Sequence, residues 1–393
     1  MNALRFLSAS IRCTGQMITT RSRRRARKRW IALVCCLLLV VPAVSYVRAL
    51  LYPGSASFAV RSVEWARDHG GGMLIDTIET WRYSRHAPPA DGAPQDVAAG
   101  GNGPGDSAAG GQLRAGTDLP PVKTLPGIRP APQEGVWSAA RRSATGTPLL
   151  WTTWFRPDPA HLPVTVGVAL MPRNADRLRL MPGTREPVAG MSSTDGYSVP
   201  ADDRRSLVAT FNAGFKMQDA HGGWWTTESA AVPLADDRAS VVILRDGTAV
   251  VGTWNRTVRM TPDVVAVRQN LDPVIVDGNI VDGLTANAQG RWGSARSQFQ
   301  YTWRSGLGTD AHGNLVYVAG QGLTLATLAS AMHQVGIQQG MELDIHAAMV
   351  SFDIEQPAPN GTVTGKRLLE SMNSPADRYL VDDQRDFFYV VAR

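Results

Sequence analysis

Cysteine is nearly absent from this chain of 393 residues: Cys13, Cys35 and Cys36 are the only ones, all close to the N-terminus. Everything beyond them folds without disulfides and offers no thiol for catalysis or metal binding. Basic charge is scarce where a nucleic-acid binder needs it. The formal charge is +6, yet nine Lys or Arg and no acid fall in residues 1–29, leaving 31 basic against 34 acidic residues elsewhere, a net of −3. A folded part that is mildly acidic excludes a nucleic-acid partner. Long apolar runs are wanting too, with one exception near the N-terminus.

That exception runs from Trp30 to Val47, directly after the basic stretch Arg21–Arg29. Eighteen uncharged residues, or about 23 residues to Tyr52 with Arg48 snorkelling toward the interface, match the length of a membrane span. Positive charge on the N-terminal side predicts a cytoplasmic N-terminus and an extracellular remainder. The expectation is a single-pass cell-membrane protein with an uncleaved signal-anchor over 30–52 and a cytoplasmic tail over 1–29. A signal peptide cut near Ala43-Val44-Ser45 is the alternative.

Beyond the run, 53–85 reads as a juxtamembrane segment with two short helices, Ser57 to His69 and Met73 to Tyr83, parted by three glycines. Residues 86–133 are dominated by Pro, Gly and Ala, without apolar period, and are expected to form a flexible linker. From Glu134 to Arg393 the chain reads as one globular domain. Strand-like runs recur at Leu149–Phe155, Val164–Met171, Leu207–Phe211, Ser240–Leu244, Val274–Val276, Leu315–Ala319 and Phe387–Val391. Turn pairs such as Asp246-Gly247 and Asp277-Gly278 sit at their ends. One helix stands out: Thr324 opens it, Leu325, Leu328, Ala329 and Met332 form its apolar stripe, and Gly336 closes it. Strands mostly follow strands, so the expected class is α+β, a mixed and mostly antiparallel sheet domain with few helices, behind one N-terminal transmembrane helix.

Three short pieces carry polar groups at strand ends. Val208 to Phe215 is a strand passing into a bend, where Asn212 offers a donor and an acceptor and Gly214 lets a ligand approach the backbone. Lys216 follows and can meet an anion. Arg304-Ser305-Gly306-Leu307-Gly308 and Leu343-Asp344 complete the set. Asp277, Asp310 and His312 also lie near strand ends, in pairs that more often form turns. Trp224, Trp225, Trp254, Trp292, Tyr301 and Trp303 are either sugar-stacking platforms or core.

Taken in order, these pieces resemble the phosphodiester glycosidase family, the domain of the N-acetylglucosamine-1-phosphodiester uncovering enzyme. The resemblance rests on Asn212-Ala213-Gly214-Phe215, Gly222-Gly223-Trp224-Trp225, Ala239 to Gly247, Arg268-Gln269-Asn270-Leu271, Val276-Asp277-Gly278, Arg304 to Gly308, Gly322 to Leu325 and Met341 to Asp344. It implies a hydrolase that cleaves a sugar-1-phosphodiester in envelope glycan or a glycoconjugate; with the anchor expected from residues 21–52, which lie outside the resemblance, the expectation is a bacterial, membrane-anchored member. By the same resemblance Arg304, with Gly306 beside it, holds the phosphate, and Asn212 and Gly214 orient the ligand. Asp344 supplies the acid, with Asp277 as a second candidate. No cofactor is implied.

The chain departs from the family after Asp344. Many members carry Gly-Gly-Gly-Ser there, whereas this chain reads Ile345-His346-Ala347-Ala348-Met349-Val350-Ser351. Either His346 is a new polar group in an altered site, or the domain binds phosphoglycan without cleaving it. Glu342, Asp344 and His346 alternate along the chain, which leaves a divalent cation open as a ligand.

Overall fold

The computed structural model describes residues 30, 40–52, 57–71, 74–75, 77–78, 87–97, 119–229, 232–287, 289–293 and 300–393. The chain divides into two units, one of 1–52 with 57–72 and one of 53–56 with 73–393.

In the first unit residues 40–50 are helical, and α1 (Phe58–Ala66) starts at an N-cap Ser57. Trp65 donates to the Ser45 hydroxyl at 3.1 Å, and the Tyr46 and Ser62 hydroxyls lie 2.8 Å apart. The expected transmembrane helix, and with it the single-pass membrane location, is corrected here: no helix among the described residues is long and apolar enough to cross a membrane. The described part of the run is short and bonds its Ser45 and Tyr46 to polar groups of α1. Residues 31–39, the rest of that expected span, lie outside the described residues, as do 1–29 and most of the helix expected over 73–83.

In the second unit the strands run, in chain order, β1 Ser138–Arg142, β2 Pro148–Phe155, β3 Val166–Met171, β4 Asp176–Met181, β5 Leu207–Asn212 and β6 Trp224–Thr226. Next come β7 Ala239–Leu244, β8 Ala249–Thr253, β9 Val264–Gln269, β10 Ile275–Val276, β11 Asn279–Ile280 and β12 Thr302–Asp310. The series closes with β13 Leu315–Leu323, β14 Ile337–Ile345, β15 Phe352–Pro357, β16 Val363–Arg367 and β17 Phe387–Ala392. Two helices matter beside them, α2 Met217–Ala220 and α3 Leu325–Gln334.

Among the described residues they form three sheets, in the orders β1-β2-β3-β13-β12-β14-β10-β11, β16-β15-β5-β17-β4 and β6-β9-β7-β8. Each ladder between these strands is antiparallel. The few-helix, antiparallel part of the expected class therefore stands.

The main core lies where the three sheets face one another. Phe211 stacks on Phe352 at 5.4 Å and tilts against Phe388 at 5.5 Å, with Tyr317 closing the cluster. β17 shows why its sequence is apolar without a break. Phe388 and Val390 face this core, whereas Phe387, Tyr389 and Val391 face a second one, so both faces are buried. α3 covers the other face of the eight-stranded sheet. Thr324 caps it by accepting from Thr327 N at 3.1 Å, and Met332 comes down onto Gly306 and Gly340. A Cβ on either glycine would sit 2.5 or 2.7 Å from Met332.

Parts of the expected linker are packed. Gln95 N donates to Pro163 O and Leu162 N to Ala90 O, while Val122 and Leu125 are buried. Residues 98–118 of that stretch lie outside the described residues.

Candidate active site

β5 delivers Asn212 to the centre of the domain because it lies between β15 and β17 in the five-stranded sheet. The Asn212 side chain is fully engaged. Its amide donates to Ser305 Oγ at 3.2 Å, and its carbonyl accepts from the Tyr317 hydroxyl and from Ser351 N, each at 3.2 Å. These bonds tie β5 to β12, β13 and the start of β15. Asn212 thus orients the frame of the site from a position that is 5% exposed.

Asp344 ends β14 beside the same Ser305. Ser305 Oγ donates to the Asp344 carbonyl at 3.3 Å and accepts from its N–H at 3.3 Å. The carboxylate reaches further: Oδ1 accepts from Ile345 N at 2.8 Å, and Oδ2 lies 3.2 Å from Arg385 Nη2. Burial pushes the Asp344 carboxyl up to about 7, against the pull of Arg385. A carboxyl half-protonated near neutrality can deliver a proton to a leaving oxygen.

The loop after β5 closes the site. Arg385 Nη2 also donates to Gly214 O at 2.8 Å. Gly214 has φ +149° and lies against Asn270, where a Cβ would be 2.3 Å from Nδ2. Asn270 holds the loop from beneath, accepting from Phe215 N at 3.2 Å and donating to Ala213 O at 3.4 Å. Arg268 is wholly buried against Asp386, at 2.9 Å, and donates to Phe215 O at 2.5 Å. Glu186 accepts from Met217 N at 3.0 Å at the start of α2, and burial raises its carboxyl pKa.

The structure separates the other expected residues from this cluster. Arg304 and Ser305 are neighbours on a strand, so their side chains leave on opposite faces. Ser305 meets Asn212, whereas Arg304 is 1% exposed and pairs with Glu342 at 2.6 Å, its Nε donating to Leu323 O. Gly306 packs under α3. Asp277 sits at φ +51° in the β10–β11 turn and accepts from Gln339 Nε2 at 2.7 Å. Gln339 and Asp344 are five positions apart on β14, roughly 17 Å at the usual rise. Asp310 accepts from the backbone of His312 and Asn314, a turn role. Lys216 stays at the loop, half-buried, as the N-terminal flank of α2.

His346 follows the site at φ +77°, a conformation glycine adopts without strain, and its N–H donates to Trp303 O at 3.0 Å. Glu342 and Asp344 are each committed to an arginine. No group of three acidic, His or Cys side chains among the described residues is placed to hold a metal ion. Of the aromatics, Trp224, Trp254, Trp292 and Trp303 are buried. Four residues of the cluster, Arg385, Asp386, Arg268 and Glu186, were not singled out as site residues. Arg385 and Asp386 end the run Asp382-Asp383-Gln384-Arg385-Asp386, which has the composition of a solvated turn.

Residues 206–362 match the family model of the phosphodiester glycosidases. Among solved structures the chain is similar to a hypothetical protein from Synechocystis, at 13% identity and a TM-score of 0.35, covering 58% of this chain and 59% of that one. It is also similar to the catalytic domain of zebrafish N-acetylglucosamine-1-phosphodiester alpha-N-acetylglucosaminidase, auto-inhibited by its pro-peptide. That likeness has 14% identity and a TM-score of 0.38, over 65% of this chain and 87% of that one. No curated protein matches the chain. The matched residues, 206–362, run from the start of β5 past Asp344, so the part of the chain that resembles a phosphodiester glycosidase domain contains most of this cluster.

Proposed function

We propose that this domain is a hydrolase that cleaves the bond between a sugar's anomeric carbon and the phosphate of a sugar-1-phosphodiester. Water adds to the anomeric carbon, and the phosphate leaves as a monoester. The observation that carries this reading is the buried Asp344 carboxyl, raised to about 7 and 3.2 Å from Arg385. Asp344 then acts on the leaving oxygen or steadies the oxocarbenium-like centre. A phosphate monoester is a good leaving group, so one carboxyl suffices.

Arg385 replaces Arg304 as the phosphate-holding group in this proposal, because its guanidinium lies beside Asp344 and Gly214, whereas Arg304 points to the opposite face of β12 with Glu342. Lys216 adds positive charge at the edge of the loop. Asn212 positions Ser305, and through it the end of β14. His346 has its part in the shape of the altered loop.

The test is release of free sugar by the full-length protein from a panel of sugar-1-phosphodiesters. Asp344→Asn should lower kcat by about 10²–10⁴-fold, the range of a lost general acid. No turnover of any diester by the native protein would sink the reading.

One observation favours a second reading, a non-catalytic phosphoglycan-binding domain. Met349 Sδ lies 3.2 Å from Arg385 Nη1, in the loop where the family carries small residues. On that reading Asp344→Asn leaves the protein's function intact, and the only measurable property is glycan binding.

A further inference from the structure

A cavity of about 510 Å³ lies between β4 and the sheet edge formed by β6, β9 and β7, outside the Asp344 cluster. Its size falls within the ~300–1,000 Å³ of small-ligand pockets. The sequence explains its lining. β4 contributes Arg179 and β7 runs into Arg245, while the segments around Thr194 and Glu228 bring hydroxyls and two carboxylates, Asp195 and Glu228. Two positive and two negative side chains leave the lining without net charge. Thr194 Oγ1 donates to Glu228 at 3.2 Å, so the wall already presents a linked hydroxyl and carboxylate. On the inner side lie Trp224, Ile243 and Ala266. Trp224 is almost wholly buried behind that wall, and its indole N–H has no acceptor in the protein.

Donors and acceptors in balance on one side, with an apolar floor on the other, match a sugar ring, which has hydroxyls at its rim and C–H groups on its faces. Charged side chains make the stronger hydrogen bonds to such hydroxyls. The cavity also adjoins the candidate site along two walls. Pro182 lines it, and the next residue, Gly183, packs so closely on Gln384 and Arg385 that a Cβ would sit 2.5 Å from their backbone. Trp224 pairs across the β6–β9 ladder with Arg268. We infer that this cavity binds a neutral saccharide unit; that the unit belongs to the substrate, beyond the sugar released, rests on the hydrolase reading above.

The experiment is calorimetric titration of the full-length protein with maltotriose, cellotriose and N,N′-diacetylchitobiose, and separately with inorganic phosphate. Native protein is expected to bind at least one of the sugars. Thr227→Trp, which fills the cavity, and Arg245→Ala, which removes an exposed donor without touching the core, should each weaken that binding about tenfold, the effect of one lost charged hydrogen bond. Arg245 is exposed, so its variant reports even if the tryptophan variant fails to fold. The inference is overturned if no sugar binds, if both variants bind as the native protein does, or if phosphate alone competes for the cavity. Free-sugar release is read in parallel. Lost turnover with saccharide binding intact removes the hydrolase reading only, and turnover without saccharide binding removes this one only.

Discussion

Gly214 shows how one atom decides the site. Its backbone conformation is one that L side chains rarely adopt, and the space a methyl would need is taken by the Asn270 amide. Gly214→Ala is expected to cost about 1–3 kcal/mol, read by urea unfolding, and to lower turnover because Asn270 also holds Phe215 and Ala213. Asp344 makes the second prediction at this scale. With its carboxyl near 7, the acid form is present below that pH and lost above it. The kcat of diester hydrolysis should be flat in mild acid and fall about tenfold per unit above roughly pH 7. A profile level from pH 6 to 9 would remove Asp344 as the acid. Asn212 and Asp344 were legible as polar residues ending apolar strands. Arg304 was legible as a strand arginine among small residues, but period two says only that it and Ser305 face apart, not which face holds the site.

Among the elements, β12 joins the site to the frame. One of its faces holds the Arg304–Glu342 pair and the close approach of α3, and the other holds Ser305 against Asn212 and Asp344. Removing one partner of a buried pair leaves a lone charge. Arg304→Met should therefore cost about 3–5 kcal/mol, while Arg304→Met with Glu342→Gln should recover much of that. Denaturant melts of both variants decide it, and equal losses in the two would show that the charge is not what matters. Strands such as β5, β13 and β17, and the helix α3 with its Thr324 cap and Gly336 stop, could be read from apolar runs and local punctuation. Their ordering into three sheets could not, because it depends on partners far apart in sequence. β13 lies beside β3, and β17 lies between β5 and β4.

Across the whole molecule, several carboxyls are buried with raised pKa values: Asp344 and Glu355 to about 7 and Asp176 to about 8, each first by desolvation. Neither oxygen of Asp176 has a hydrogen-bond partner. An acid whose folded pKa lies above its unfolded value binds more protons in the native state. Its contribution is complete below the unfolded pKa, near 4, and is lost as pH rises through the folded one. Asp383 and Glu134 are shifted down and act in the opposite sense, losing their contribution below about pH 4. The melting temperature should therefore be highest around pH 4–6 and decline toward pH 8. A Tm that climbs steadily from pH 5 to 8 would contradict this balance.

The sequence by itself determined the local features: a fold without disulfides, antiparallel strands bounded by turn residues, one well-capped helix and an ordered set of motifs that resembles a glycosidase family. These rest on propensity, period and punctuation, which act over a few residues. The apolar run near the N-terminus, long enough on paper to span a membrane, shows the limit of such reading. Only the tertiary structure decided which charges are buried and with whom. Arg385 meets Asp344 across 41 residues, and Arg268 meets Asp386 across 118. A buried charge is tolerable only when its partner is brought to it, and which strand brings that partner is a property of the sheet order, not of the neighbouring residues.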